Sequence, residues 1–306
     1  MDPITTAELT SSGYSRRDIA RLCESGHLVR IARGVYLRGT TDRTTRHLAL
    51  ASSRTHALAL ESAALAHGLP VISTPEQVHT VLAGSGRSRG RPRELQLSGP
   101  LPPRHLVTLG SQLVTSRART VVDLTRLRGL EQGLVTWDAA RWTARIEGRL
   151  ETFDAEVADV IAVMCRRKGI GRARQAQGLS SAYSQSPAET RSLFAIRTLA
   201  LPEPLQQFEI RDQQGRIVGA SDFAWESEGV LGEYDGEGKY CELARPGESP
   251  ADVVRREKRR QEAMETQGWV FARWGKEELA RPHLLRERIL AAFRIAAGRG
   301  TMLRAG

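Results

Sequence analysis

Residues 221–240 read SDFAWESEGVLGEYDGEGKY and place acidic side chains on what we predict to be two adjacent short strands. Side chains alternate along a strand, so Glu233 and Asp235 point to the same face of the second one. If residues 218–225 pair with this second strand as an antiparallel hairpin, Asp222 lies next to Glu233 and Asp235. Three clustered carboxylates repel one another, and a divalent cation with oxygen ligands is the usual remedy.

The residues around this stretch predict a mixed sheet flanked by helices. Ser186 is an N-cap followed by a proline, with Glu189 three residues on, which is typical of a helix start. From there the pattern changes between helix and strand periodicity. The predicted helices are 186–200, 251–267 and 282–297, and the predicted strands are 205–211, 216–225, 229–236 and 269–274. This order is typical of an α/β unit with a central sheet.

Composition limits the classes of partner. A chain of 306 residues with 40% hydrophobic content has room for two or three domains. The net charge of +10 favours a polyanion such as nucleic acid, although only four of the 45 basic residues are lysine, so a coding bias toward arginine is an alternative explanation. The sequence has neither an apolar run long enough to cross a bilayer nor a signal peptide, so we expect a cytoplasmic protein without a membrane partner.

Residues 5–38 predict a small helix-turn-helix followed by a hairpin wing. Ser15 is the N-cap of the second helix, and Ile19 lies on its apolar stripe. Arg16, Arg17 and Arg21 lie off that stripe. The hairpin carries two further basic residues, Arg30 and Arg33, which could reach a phosphate backbone. The alternative is a solvated basic face on a small helical domain.

The stretch SRRDIARLCESGHLVRIARGVY, residues 15–36, resembles the N-terminal winged-helix domain of AbiEi-type antitoxins. These are the DNA-binding partners of type IV toxin–antitoxin systems. The resemblance implies DNA as a partner and admits a toxin as a protein partner. It makes all five of these arginines candidates for DNA contact: Arg16, Arg17, Arg21, Arg30 and Arg33.

The overall fold class expected is α/β, or α+β over the whole chain, with four segments. They are a winged helix at residues 1–45, an AbiEi-like mixed α/β middle region at 46–168, a linker at 169–185 and a C-terminal unit at 186–306. The linker assignment depends on its glycine, serine, arginine and glutamine content. Within the middle region, the loop GSGRSRGRPR at 84–93 is either a phosphate-binding loop or a solvated insertion.

The C-terminal unit resembles the PD-(D/E)XK nuclease superfamily, and more closely the domains related to very-short-patch-repair endonucleases. The resemblance is carried by SPAETRS at 186–192, SDFAW at 221–225, GEYDGEGKY at 232–240 and EKRRQEAMETQGWVFARW at 257–274. It implies a restriction-endonuclease-like fold. It also implies that Asp222 and Glu233 bind Mg²⁺ or Mn²⁺ and that Glu189 supports the site.

The sequence departs from that superfamily at one position, because Asp235 stands where the general pattern has lysine. In one interpretation Asp235 is a further metal ligand, and Lys239 or Lys258 supplies the missing positive charge. In the other the site is degenerate and inactive. Two functions follow, namely a metal-dependent DNA endonuclease in repair or defence, and an AbiEi-like regulator or antitoxin that keeps an inactive nuclease fold.

Overall fold

The computed structural model describes residues 4–32, 34–39, 42–52, 56–83, 94–110, 112–236 and 250–304. The chain divides into two units, Met1–Ser180 and Ser181–Gly306. The described residues form helices and three separate sheets, so the predicted α+β class is confirmed. Among the described helices, none combines the length and the apolar character that crossing a membrane requires.

The first unit begins with two short helices and a three-stranded sheet. The elements are β1 (Ile4–Thr5), α1 (Thr6–Ser11), α2 (Arg16–Glu24), β2 (Leu28–Ala32) and β3 (Val35–Arg38). Strand β3 lies between β1 and β2 and is antiparallel to both. Ser15 and Asp18 form a capping box at the start of α2, as the sequence predicts. One buried side chain from each helix and each hairpin strand forms the core: Leu9, Ile19, Leu28 and Tyr36.

The rest of the first unit is a five-stranded mixed sheet with helices. The helices are α3 (Arg43–Ser52), α4 (Leu60–Ala66), α5 (Arg117–Arg128), α6 (Leu130–Ile146), α7 (Leu150–Val163) and α8 (Ile170–Leu179). The strands are β4 (Ala57–Leu58), β5 (Val78–Ala83), β6 (Glu94–Gly99), β7 (Leu106–Leu109) and β8 (Gln112–Thr115), in the order β6-β5-β4-β8-β7. Leu37 of β3 packs in one cluster with Leu58 and Val114 of this sheet. The hairpin and the larger sheet therefore share a hydrophobic core.

Helix α8 occupies most of the segment whose composition predicts a linker. Ile170, Ala173 and Ala176 recur at three-residue spacing and are buried, and the helix packs against α5 and α6. Small apolar residues on one face are enough to hold a helix against its neighbours. Residues 170–179 of the predicted linker therefore form a helix of the first unit, and the division between the two units, after Ser180, falls within the predicted segment. The loop at 84–93 lies outside the described residues.

The second unit follows the predicted order of helices and strands. The elements are α9 (Pro187–Thr198), β9 (Leu205–Arg211), β10 (Ile217–Trp225), β11 (Val230–Tyr234), α10 (Pro250–Thr266), β12 (Val270–Trp274), α11 (Lys276–Ala280) and α12 (Pro282–Arg304). The sheet order is β12-β11-β10-β9, with β11 and β12 parallel and the other pairs antiparallel. Among the elements that the structure describes in this unit, only the short α11 has no counterpart in the prediction.

Helices cover both faces of this sheet. On one face α9 and α12 pack against the larger apolar cluster, which includes Phe223, Trp225 and Trp274. On the other face Met264 of α10 packs with Ala224 and Leu231. Side chains alternate along a strand. The carboxylates next to Phe223 and Gly232 in sequence therefore lie on the α10 face.

Candidate functional site

The N-terminal unit carries an exposed basic face on α2. The capping box at Ser15 fixes where the helix begins, and buried Ile19 fixes which side of it faces the core. Arg16, Arg17 and Arg21 are exposed as a result. Arginine side chains held on a short, capped helix can contact phosphates or base edges in a DNA groove.

A groove between α2 and the β2–β3 hairpin is lined by Arg16 of this face and by a further basic residue, Arg30 of the hairpin. It has a volume of about 860 Å³, and its lining includes Arg16 and Cys23 of α2 together with Arg30 of β2 and Tyr36 of β3. Arg30 is exposed. Arg33, the fifth predicted contact, lies outside the described residues.

In the second unit, strand register brings the predicted carboxylates together. Phe223 pairs with Gly232, and one step further along the same register Asp222 comes opposite Glu233. The backbone N–H of Tyr234 donates to Oδ2 of Asp222 at 3.0 Å. The predicted proximity of Asp222 and Glu233 follows directly from this antiparallel pairing.

Glu233 is a buried carboxylate that contacts two guanidinium groups. Its side chain is 7% exposed, Nη2 of Arg260 on α10 lies 2.8 Å from Oε1, and Nη2 of Arg273 on β12 lies 2.8 Å from Oε2. The Arg260 contact has hydrogen-bond geometry, whereas the Arg273 contact is an ion pair only. Burial raises the pKa of Glu233, Arg260 and Arg273 oppose that rise, and the charge of Asp222 adds to it.

Glu189, at the start of α9, is the third member of the cluster. Its carboxylate accepts hydrogen bonds from the backbone of Gln185 at 2.8 Å, from Oγ of Ser186 at 2.8 Å and from Nε2 of Gln207 at 2.9 Å. Burial raises its pKa despite these bonds, and the nearby charge of Asp222 raises it further. The charge of Asp222 therefore raises the pKa of both Glu189 and Glu233.

The other predicted site residues are not part of this cluster as described. Asp235 is exposed, and its backbone N–H donates to the carbonyl of Trp274. The side chain of Lys258 is 76% exposed, and Nζ lies 3.9 Å from Oε1 of Glu262 on the same helix. Lys239 lies outside the described residues.

Helix geometry explains why Lys258 does not contact Glu233. Arg260 and Met264 are four residues apart and share the face of α10 that contacts the sheet. Two residues of helix turn the side chain by about 200°, so Lys258 points away from that face. The expectation that Lys258 neutralises the carboxylates is therefore not met, because Arg260 and Arg273 take that role.

In this arrangement Glu233 has no carboxylate oxygen free for Mg²⁺ or Mn²⁺. Both oxygens of Glu233 already face guanidinium groups, and one oxygen of Asp222 accepts a backbone hydrogen bond. In the part of the chain that the structure describes, no three histidine, cysteine, aspartate or glutamate side chains are grouped so as to hold a metal ion. The positive charge beside the cluster is instead part of the protein.

Sequence reasoning missed three residues that surround the carboxylates. Arg273 lies in an apolar strand, between Ala272 and Trp274, and a basic residue in such a position signals a buried counter-ion. Arg260 lies in a charged stretch four residues before Met264, which gives no such signal. The third is Gln207, whose φ of 51° is in the left-handed region and whose side chain donates to Glu189. No sequence signal indicates that conformation, which costs of order 1 kcal/mol or more in a non-glycine residue.

One comparison with known proteins bears on the N-terminal unit. Residues 1–39 match the model of a family described as a transcriptional regulator, AbiEi antitoxin. The matched segment contains α1, α2 and the β2–β3 hairpin, and therefore the exposed arginines of α2. No curated protein sequence matches the chain significantly.

We predict that Arg260→Met destabilises the second unit whereas Lys258→Met does not. Removing Arg260 leaves buried Glu233 with one poorly oriented cation, at a cost of about 1–3 kcal/mol. Removing exposed Lys258 from the same helix changes the free energy of unfolding by about 0.5 kcal/mol or less. Urea denaturation of the two variants measures both effects, and equal losses would contradict the assignment of Arg260 as counter-ion.

A second prediction concerns pH. Because the folded-state pKa of Glu189 is raised above 4.5, the folded protein binds this proton at a higher pH than the unfolded chain does. The penalty for the charged side chain is therefore present at neutral pH and disappears as the pH falls through the folded pKa toward 4.5. The stability of the unmodified protein relative to Glu189→Gln rises over that interval.

Urea titrations of the two proteins at several pH values measure this difference. Glu226→Gln is the control, because Glu226 is an exposed glutamate of the same unit. The compared quantity is the free energy of unfolding. If its difference between Glu189→Gln and the unmodified protein stays constant with pH, burial does not penalise the Glu189 carboxylate.

Proposed function

We propose that this protein is a DNA-binding transcriptional regulator that contacts duplex DNA through α2 and the β2–β3 hairpin. The observation that carries the proposal is the coincidence of two independent features. The family match over residues 1–39 covers the same elements that expose Arg16, Arg17 and Arg21.

The chemistry of this face suits a nucleic acid. A guanidinium group donates two parallel hydrogen bonds to a phosphate or to the major-groove edge of guanine. Arg17 and Arg21 are four residues apart and lie on one side of α2, next to the groove that Arg16 shares with Arg30. A helix in the major groove with a hairpin along the backbone would use all four residues, and Arg33 remains a fifth predicted contact.

A toxin protein is a second proposed partner, because the matched family is described as an antitoxin. No residue of this chain is assigned to that contact. The DNA proposal is therefore tested without a toxin.

We predict that Arg17→Gln and Arg21→Gln each weaken binding to a duplex selected from a randomised pool. Loss of a residue that contacts a base weakens the binding free energy by about 1–3 kcal/mol. Loss of a residue that contacts a phosphate reduces the slope of log K against log salt by about 1. Fluorescence anisotropy at several salt concentrations separates the two cases for each arginine.

Arg38→Gln is the matched control. Arg38 lies on β3 of the same sheet but borders a different cavity, with Leu9, Tyr14 and Leu28. Its loss should change affinity less than twofold. If Arg38→Gln weakens binding while Arg17→Gln and Arg21→Gln do not, the DNA-binding face has been assigned to the wrong side of the winged helix.

Hydrolysis of DNA by the second unit is a second candidate function. One observation favours it, namely that Asp222 lies close enough to Glu189 and Glu233 to raise the pKa of both carboxyl groups. Against it stand the two guanidinium groups that pair with Glu233.

This candidate predicts that the protein nicks or linearises plasmid DNA when Mg²⁺ or Mn²⁺ is added, and that Asp222→Ala abolishes cleavage. Gel electrophoresis of supercoiled plasmid measures the reaction, and circular dichroism confirms that the variant is folded. If plasmid, mismatched duplex and single-stranded DNA all remain uncleaved after incubation with either ion, the nuclease candidate fails. The regulator function is then the one that remains for this protein.

A further inference from the structure

A strongly basic segment lies between α7 and α8, away from the winged helix in sequence. The chain has no aspartate or glutamate between Asp159 and Glu189. Within that interval, residues 166–174 contain five basic side chains, which we call the basic turn: Arg166, Arg167, Lys168, Arg172 and Arg174. All five are exposed.

The backbone of the basic turn is fixed by close packing. Gly169 has a φ of 82°, and a Cβ atom at this position would lie 2.1 Å from the carbonyl oxygen of Arg126. Nη1 of Arg172 donates to the same carbonyl at 3.4 Å. Buried Ile170 and Ala173 fix the rotation of α8, so that Arg172 and Arg174 face solvent. The basic side chains therefore extend from a rigid part of the fold.

Three of the five charges of the basic turn are not neutralised by any residue that the structure describes. Arg166, Lys168 and Arg174 make no ion pair with any residue that the structure describes. The first turn of α8 contains Arg172 and no acidic residue. A cation there adds to the positive end of the helix dipole, which is unfavourable unless an anion approaches.

The composition of the surface distinguishes between classes of partner. Protein interfaces depend on buried aromatic or large apolar anchors, and membrane-binding helices need an apolar face. Next to the basic turn in sequence, the exposed residues include Cys165, Gly171, Gln175, Gln177 and Gly178, and none of these is aromatic or large and aliphatic. Contacts to a phosphate backbone need only positive charge and hydrogen-bond donors.

We propose that the basic turn is a second DNA-binding surface of this protein, which contacts the phosphate backbone of a duplex without reading its sequence. The inference rests on the proposed DNA-binding function and adds a site that the winged helix does not contain. Both surfaces belong to the first unit, whose winged-helix hairpin shares a core with the larger sheet. The basic turn therefore contributes affinity and salt dependence, while sequence preference stays with α2.

The test compares two full-length triple variants that lose the same charge. Arg166→Gln/Lys168→Gln/Arg174→Gln removes three unpaired cations of the basic turn. Arg211→Gln/Arg281→Gln/Arg288→Gln removes three exposed cations of the second unit that pair with Glu209, Glu277 and Glu278. Anisotropy with a selected duplex and with a scrambled duplex, between about 50 and 300 mM salt, gives the slope of log K against log salt for each protein.

Each phosphate contact contributes about 0.9 to that slope, so three contacts make the slope of the basic-turn variant shallower by about 2 to 3. We expect this loss on both duplexes with an unchanged ratio of selected to scrambled affinity, and no change of slope in the control variant. Arg166→Lys/Arg174→Lys keeps the charge and should keep the slope. Thermal melting checks that all variants are folded.

Three results overturn the inference. If the unmodified protein binds DNA but the basic-turn variant keeps the slope of the control variant, the basic turn does not contact DNA and the winged-helix proposal stands. If the unmodified protein binds neither duplex, the proposed function fails and the inference fails with it. A loss confined to the selected duplex would also overturn it, because the turn would then read sequence.

Discussion

Glu233 is a buried charge on the central strand pair of the second unit, and guanidinium groups from two other elements neutralise it. As a whole residue, Glu233 is 5% exposed. Burying its charged carboxylate costs several kcal/mol of folding free energy unless the charge is paired. Arg273 comes from the neighbouring parallel strand, directly beside Glu233 in register, and Arg260 comes from the helix between β11 and β12. Nη1 of Arg260 also donates to the carbonyl of Ala220 on β10, so one side chain connects the helix to two strands. The position of α10 on the sheet depends on this interaction.

The first unit also contains two buried carboxylates that pair with basic side chains. These pairs change how the basic composition should be interpreted. Asp123 is 1% exposed and pairs with Arg119 and Arg126. Burial tends to raise the pKa of Glu61, but His79 and Arg128 lower it to about 2. Many arginines are therefore internal counter-ions, and the total charge overstates the basic surface. Exposed basic residues occur in both units, but those of α2 lie in the segment that the family model matches, so location and not net charge supports the DNA-binding proposal.

Local patterns in the sequence predicted most elements because their signals are local. The N-cap at Ser15, the proline-marked start of α9 and the alternation along β10 and β11 each depend on residues within one turn or one strand. The choice between Lys258 and Arg260 depends on the rotation of α10 about its axis, which packing against the sheet determines. Composition did not distinguish the helix at 170–179 from a linker, because small residues that pack a helix have the same composition as a linker.

The regulator and nuclease hypotheses make opposite demands on the pair of arginines beside Glu233. For a regulator the second unit needs only to be folded, and Arg260 and Arg273 satisfy Glu233 permanently. For a nuclease Glu233 must be available to another cation, which requires both ion pairs to break at a site where an unpaired carboxylate is costly. Glu189 is under no such constraint, since the groups that donate hydrogen bonds to its carboxylate, from Gln185, Ser186 and Gln207, are neutral. The energy of the Glu233 ion pairs, more than the number of acidic residues, therefore separates a structural cluster from a catalytic one.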